Sequence, residues 1–333
     1  MNKKILSSIT YIVTLGLGIF LIWYSVKDLS ADDVQKIKHA LKQANFIYLI
    51  PIVIMGFISH WSRAKRWKYL MEPLHMYPST GNTLLAVLIG YLANLAFPRL
   101  GEVLKCTILA RYEKVPADKL VGTIVAERAF DLLCLIIVFF LAFIVQINLA
   151  QNYLSSLLLR YQSQSNGDHA KTYIVLGAIL ALSFALYFGR KKIATLSFFK
   201  KIKSVFQHII QGILSFRTMK NKKGFVFHTI LIWCMYLGMI LIGFQSIQET
   251  AHLHFPTALS VLSFGSVGMI VTPGGIGAYT ILVEEIVSLY GIEKIISIAI
   301  SWIIWLVPTF IILFGGLIAL IILPIYNRKK HEQ

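Results

Sequence analysis

The chain has 333 residues, 57% of them hydrophobic and only 14% charged, with 32 Lys and Arg against 15 Asp and Glu for a formal net charge of +17. A soluble domain carries about 25% charged residues, so the composition excludes an ordinary soluble protein and predicts an all-α polytopic membrane protein, residues 1–333 forming a single integral membrane domain. The basic excess lies in a few loops, which fits the positive-inside rule and speaks against a nucleic-acid partner.

The N-terminus reads MNKK, and the apolar run from Ile5 to Val26 is long enough to span and lacks a clear small-residue cleavage site. It is expected to be a retained first helix. The stretch ADDVQKIKHALKQA at 31–44 is a helix carried in a loop. Apolar windows of about 20 residues place further spans near 46–62, 120–146, 171–189, 224–247 and 296–324, six in all. Two shorter apolar segments, 81–97 and 257–272, each run into a proline and glycine, FPRLGE and TPGGIGA. Each continues into a second helical stretch, roughly 102–112 and 277–290. Segments this short are expected to be re-entrant helical hairpins, with two full spans in place of each as the alternative. Residues 193–216 place Phe198, Phe199, Ile202, Val205, Phe206, Ile209, Ile210, Ile213 and Leu214 on one helical face. Lysines cluster at its start, which fits an amphipathic helix on the inner leaflet, drawn to anionic lipids there; a cytoplasmic helix packed on the bundle is compatible.

Charge counting orients the chain. Arg63 to Lys68, the basic segment 190–223 and the C-terminal Arg328, Lys329 and Lys330 are rich in bases, whereas 147–170 holds Arg160 and Asp168 and 248–256 holds Glu249. The basic loops are then cytoplasmic, as are both termini. The first hairpin enters from the cytoplasm and the second from outside. Units 46–146 and 224–324 repeat the order span, hairpin, span in opposite orientation, an inverted repeat of the kind found in transporters.

The charges inside the apolar segments are the candidate site. Arg99, Glu102 and Lys105 stand at i, i+3 and i+6 where Pro98 and Gly101 break the first hairpin, and a helix N-terminus there would favour an anionic head group. Glu127, Arg128 and Asp131 follow in the next span. Intramembrane charges cost ~2.5–3.5 kcal/mol each on insertion scales and mark a function by default; the structural alternative is a clamp in which Arg128 pairs with Asp131. In the second hairpin, Pro273, Gly274, Gly275 and Gly277 form a turn that either approaches an anion closely or lets backbones pack. Glu284 and Glu285 follow, one facing a cavity and the other nearer the outer surface. Arg63 and Arg66 lie in SHWSRAKRWKYL, read as an interfacial anchor with Trp61, Trp67 and Tyr69 at head-group level; a head-group site is the second reading. Cys106, Cys134 and Cys234, with no C-x-x-C, make a disulfide framework or zinc site unexpected. His252 and His254 supply two ligands at most, so neither metal nor cofactor is expected.

Taken together, R-x-G-E at 99–102, E-R-x-x-D at 127–131 and P-G-G-I-G at 273–277, in this order and spacing, resemble the flippase-like membrane domain of lysyl-phosphatidylglycerol synthases, which also occurs as stand-alone bacterial and archaeal proteins. The resemblance implies an inner-membrane lipid transporter moving an aminoacylated or glycosylated lipid between leaflets. It implies no lipid synthesis, since the aminoacyltransferase domain is absent. Two features depart from many members: Lys105 stands where an arginine is common, and Ala278, Tyr279 and Thr280 stand where a charged residue follows the glycine turn. The expected partners are a phospholipid or polyprenyl-linked lipid and anionic inner-leaflet lipids. Two other function classes stay open: a membrane-embedded head-group transferase, and a scaffold for a lipid-modifying enzyme. The sequence sets no oligomeric state.

Overall fold

The computed structural model describes residues 3–97, 99–147 and 216–331. These form α1 (Lys3–Val26), α2 (Ala31–Gln43), α3 (Leu49–Met71), α4 (Thr80–Ala96), α5 (Leu100–Glu113), α6 (Ala117–Val145), α7 (Lys222–Phe244), α8 (Phe255–Val271), α9 (Ala278–Leu289) and α10 (Lys294–His331). The fold is all-α. Four stretches are long and apolar enough to cross a membrane: Phe46–Leu74, Ala117–Val145, Lys222–Phe244 and Lys294–Arg328. They coincide with four of the six expected spans. The expected 5–26 span is helical as α1. The expected 171–189 span, the 147–170 loop beyond Ile147 and nearly all of the 193–216 amphipathic helix lie outside the described residues.

Local chemistry sets the element ends. Ser30 caps α2, accepting from the Asp33 N–H at 3.1 Å while Asp33 accepts from the Ser30 N–H at 3.0 Å, a reciprocal capping box. The residue before a proline is pushed out of helical geometry, and Phe97 is accordingly extended, with φ −136° and ψ 119°. Arg99 then takes a left-handed φ of 68° and α5 begins at Leu100. The second break uses glycine for the same purpose: Gly274, Gly275 and Gly277 have φ of 60°, 76° and 73°, the region glycine enters without a steric penalty.

Each break folds its two helices into a hairpin, and α10 measures their depth. At the feet of the α4–α5 hairpin, the Ser79 hydroxyl and the Asn82 amide both donate to Glu113 at 2.5 Å, and Asn82 exchanges amide hydrogen bonds with Asn327 at 2.8 Å. Gly81 lies against Tyr326 and Leu92 against Gly316, so α4 runs antiparallel to α10 with its foot at the C-terminal end. At the other hairpin, Trp305 Nε1 donates to the Gly274 carbonyl at 2.9 Å. The feet of α8 and α9 meet where Tyr290 lies beside Thr257 and Ser260, and Gln146 donates to the Pro256 carbonyl at 2.6 Å. At 1.5 Å rise per residue, Tyr326 to Gly316 covers ~15 Å and Gly316 to Trp305 ~16 Å. Leu95, near the first tip, packs directly on Gly274 at the second. The hairpins therefore stand tip to tip with their feet toward opposite ends of α10.

Packing is tightest where glycines let backbones touch. A Cβ on Gly101 would fall 2.0 Å from the Gly90 carbonyl oxygen, and one on Gly277 would fall 2.3 Å from the Gly18 carbonyl oxygen of α1. Only glycine fits at such a crossing. One apolar core joins α2, α7, α8, α9 and α10, with Ile52 of α3 and Val138 of α6, through residues such as Phe244, Val261, Val283 and Ile300; a second joins α3, α4, α5 and α6, with Phe225 of α7, around Trp67, Val87, Leu109 and Leu120.

Candidate functional site

The second core contains charge. Arg63 and Arg66 are three residues apart on α3, and Glu127 and Asp131 are four apart on α6, so each pair shares one face of its helix. The two faces meet. Arg63 Nη1 lies 3.1 Å from Glu127 Oε1 and 2.6 Å from Asp131 Oδ2. Arg66 Nη2 lies 3.4 Å from Glu127 Oε1 and 2.6 Å from Asp131 Oδ1. From α5, Lys105 Nζ reaches Glu127 Oε2 at 3.2 Å and sits 4.7 Å from the centroid of the Trp67 ring. Arg63 Nη2 also donates to the Tyr236 hydroxyl of α7 at 3.2 Å. The side chains of Arg66 and Glu127 are 0% and 1% exposed, so water does not screen them.

Three cations therefore face two carboxylates, leaving one buried positive charge in excess. The donor count agrees. Among the described residues, Nε and Nη1 of Arg66 and Nε of Arg63 are buried and have no protein hydrogen-bond partner. A buried donor left unsatisfied costs ~1–3 kcal/mol, more when charged. Beside these donors, Glu102 Oε2 is a buried acceptor that likewise has no protein partner. On the outer side of the cluster, Arg128 Nη2 bonds Glu102 Oε1 at 2.6 Å, with side chains 45% and 24% exposed. This pair bridges α5 and α6 where the surroundings have access to it.

The lysylphosphatidylglycerol synthase TM region family matches residues 11–316. The chain belongs to this family. It is also similar to UPF0104 membrane protein MJ1595 of Methanocaldococcus jannaschii, 22% identical over 307 residues, covering 89% of this chain and 91% of the relative. No solved structure matches. This is a multi-pass membrane protein of the synthase TM region family, and the match spans both hairpins.

Within this family member, the structure joins some of the sequence-predicted residues and separates others. Lys105, Glu127 and Asp131 form one cluster with Arg63 and Arg66, whereas Glu102 and Arg128 flank it. Arg99 does not share their helical face: it precedes α5 in left-handed geometry and is exposed. The expected Arg128–Asp131 clamp is replaced, because Arg128 reaches Glu102 across the hairpin while Asp131 is held by the two α3 arginines. The anchor reading of Ser59–Leu70 is corrected for three of its residues, while Trp61 is exposed. Arg63, Arg66 and Trp67 are buried, and Trp67 Nε1 donates to Thr123 of α6 at 2.9 Å instead of facing head groups. The free helix N-terminus expected at α5 is partly taken, since the Gly101 N–H donates to Asn94 Oδ1 at 2.8 Å.

The second hairpin contributes nothing to this cluster. The N–H groups of Gly275, Ile276 and Ala278 bond within the turn, to Thr272, Pro273 and Ile276 carbonyls. Gly275 packs against Met269 and Trp305, and Gly277 against α1, so Pro273, Gly274, Gly275 and Gly277 form a packed tip. Glu284 is buried away from the cluster, accepting from the Ser25 hydroxyl at 2.9 Å, with Lys294 at 3.8 Å; Glu285 is exposed. Residues that sequence reasoning passed over are Tyr236, Asn94 and Thr123. The pairing of Arg63 and Arg66 with Glu127 and Asp131 had one signal: two charged pairs of opposite sign, each at helical spacing, in the two long helices that flank the first hairpin.

Proposed function

We propose that this protein is a lipid transporter, a flippase that carries an anionic, aminoacylated or glycosylated lipid between leaflets. The carrying observation is the buried cluster of Arg63, Arg66 and Lys105 against Glu127 and Asp131, which holds one uncompensated positive charge and unsatisfied guanidinium donors. A phosphate-bearing head group supplies both the missing charge and the missing acceptors. Family membership supports the lipid substrate.

The tip-to-tip hairpins support the transport half of the reading. α4 and α5, at 17 and 14 residues, reach ~25 Å and ~21 Å, short of the ~30 Å hydrocarbon core. We take them, with α8 and α9, as re-entrant hairpins of an inverted repeat that meet near the midplane, where transporters place their substrate sites. The basic loops support our reading that both termini are cytoplasmic, in a bacterial inner membrane. Glu102 and Arg128 guard the exposed flank of the cluster and exchange their mutual bond for the substrate. The lipid crosses chemically unchanged, so the protein acts as a carrier and not as a transferase.

The test is transbilayer movement of fluorescent lipids in proteoliposomes containing the full chain. The panel spans phosphatidylglycerol, an aminoacylated phosphatidylglycerol and phosphatidylcholine, with and without a proton gradient. Wild type is expected to move at least one phosphate-bearing lipid, and Glu102→Gln and Arg99→Ala to lose at least tenfold in rate while remaining folded. Normal transport by both variants would remove the exposed flank of the first hairpin from the mechanism. A covalently altered head group would convert the reading to a transferase.

A further inference from the structure

We propose that the face of α7 carrying Lys222 and Lys223 is a binding site for an anionic phospholipid of the adjoining leaflet. This site is distinct from the charged cluster and independent of whether transport occurs. A groove of about 410 Å³ opens there, lined by Phe216, Lys222, Lys223, Val226, Phe227 and Ile230. Its composition is divided along its length. Lys222 and Lys223 stand together at one end, both exposed. Val226, Phe227 and Ile230, 42%, 60% and 58% exposed, continue from them for two helical turns. An ammonium pair followed by an apolar trough of that length matches a lipid phosphate followed by the first part of an acyl chain.

Charge selects the occupant. From Phe216 to Ile230 the sequence FRTMKNKKGFVFHTI contains Arg217, Lys220, Lys222 and Lys223 and no acidic residue. An anionic head group is attracted to such a patch by roughly 1 kcal/mol per lysine near the surface. The groove also has a firm wall. Lys222 Nζ lies 5.9 Å from the Phe216 ring centroid, and Phe216 packs edge-on to Phe225 at 6.0 Å, which is 1% exposed. Phe225 in turn lies 5.9 Å from the Arg66 guanidinium, so one aromatic layer separates the lipid seat from the buried cluster.

The experiment uses the full chain in nanodiscs doped with phosphatidylglycerol or phosphatidylcholine carrying a diazirine on the acyl chain, followed by peptide mapping. Phosphatidylglycerol is expected to label Val226, Phe227 and Ile230 in preference to phosphatidylcholine. Lys222→Gln is expected to reduce that preference about fivefold, and the double change with Lys223→Gln up to about thirtyfold, on about 1 kcal/mol per basic residue. Both lysines are exposed, so the variants keep their fold, and unchanged phosphatidylcholine labelling reports that directly. Equal labelling by the two lipids in wild type would reduce the groove to ordinary boundary lipid and overturn the proposal. Absence of label on all three residues would overturn it too, by showing that another occupant covers the groove. Transport assayed on the same variants separates this site from the flippase reading: a lost lipid preference with normal flipping leaves the transport site intact.

Discussion

The two hairpins share a shape and differ in chemistry. Each breaks a helix at a proline and glycine turn, and each presents its tip to the other. The α4–α5 hairpin places Lys105 in a buried ion cluster and Glu102 in a half-exposed pair, whereas the α8–α9 hairpin has an apolar tip whose glycines are consumed by packing. Its carboxylate, Glu284, sits toward the foot with Ser25 and Lys294. The contrast teaches that the break itself serves architecture. It shortens each helix and folds two elements into a hairpin. A buried ion cluster is added on one side only, by the helices that the break brings together.

The largest expected effect breaks that asymmetry directly. Glu127→Gln leaves Lys105, Arg63 and Arg66 facing Asp131 alone, and removing one partner from a buried ion network costs ~3–5 kcal/mol. Glu284→Gln keeps an acceptor for the Ser25 hydroxyl and loses only a 3.8 Å contact to Lys294, whose side chain is 66% exposed, so it should cost under about 1 kcal/mol. Thermal unfolding of the two variants in one detergent reads the difference. Comparable losses would mean that the second hairpin carries charge chemistry after all.

Glycine substitutions sharpen the same comparison at the level of packing. In Gly101→Ala the new Cβ meets the Gly90 backbone oxygen at 2.0 Å, and backbone cannot step aside, so overpacking should cost ~1–3 kcal/mol. In Gly274→Ala the nearest atom is Leu95 Cδ2 at 2.9 Å, a side chain that can turn. What remains is the left-handed backbone, worth roughly 1–2 kcal/mol. Pairing Gly274→Ala with Leu95→Ala should recover none of that backbone cost. Recovery of stability in the double variant would show that contact, not φ, governs the second tip.

Arg99 stands between the two cases. It takes the left-handed φ of 68° that the other tip gives to glycine, although its side chain is exposed. Arg99→Gly should relieve strain and leave stability unchanged or raised by up to about 1 kcal/mol. Under the transport reading it should nevertheless lower lipid movement at least tenfold. A variant that is more stable and fully active would show that the arginine is incidental at this position.

How much of this was legible in the sequence follows from the range of each interaction. The breaks, the short arms and the four long spans were legible because proline, glycine and apolar runs act locally. Glu127 and Asp131 were conspicuous as charges in an apolar span. Their partners were not, because Arg63 lies 64 residues from Glu127 and sits between Trp61 and Trp67, where an interfacial anchor explains a basic residue equally well. The same locality misled the clamp: Asp131 is three residues from Arg128, yet Arg128 bonds Glu102, 26 residues away. A composition that names the charged residues does not name the faces on which they meet.

The smallest expected effect concerns the surface at the second hairpin's foot. α2 packs there through Ile37, Ala40 and Leu41, in the same core as Val287 and Ile292, and its start depends on the Ser30–Asp33 box. The Ser30 hydroxyl and N–H bond the Asp33 carboxylate and hold its pKa below the ordinary value of 3.8. A group whose folded pKa is depressed contributes stability above its unfolded pKa and loses it as pH falls through the folded value. The box should therefore be intact at neutral pH and loosen only below about pH 4. Ser30→Ala should raise amide exchange in α2 by roughly fivefold at neutral pH, with no change across α4 and α5, because no part of the first hairpin rests on that foot. Exchange rising equally in both hairpins would mean that the two tips transmit strain to each other, and that the asymmetry in chemistry is not matched by independence in mechanics.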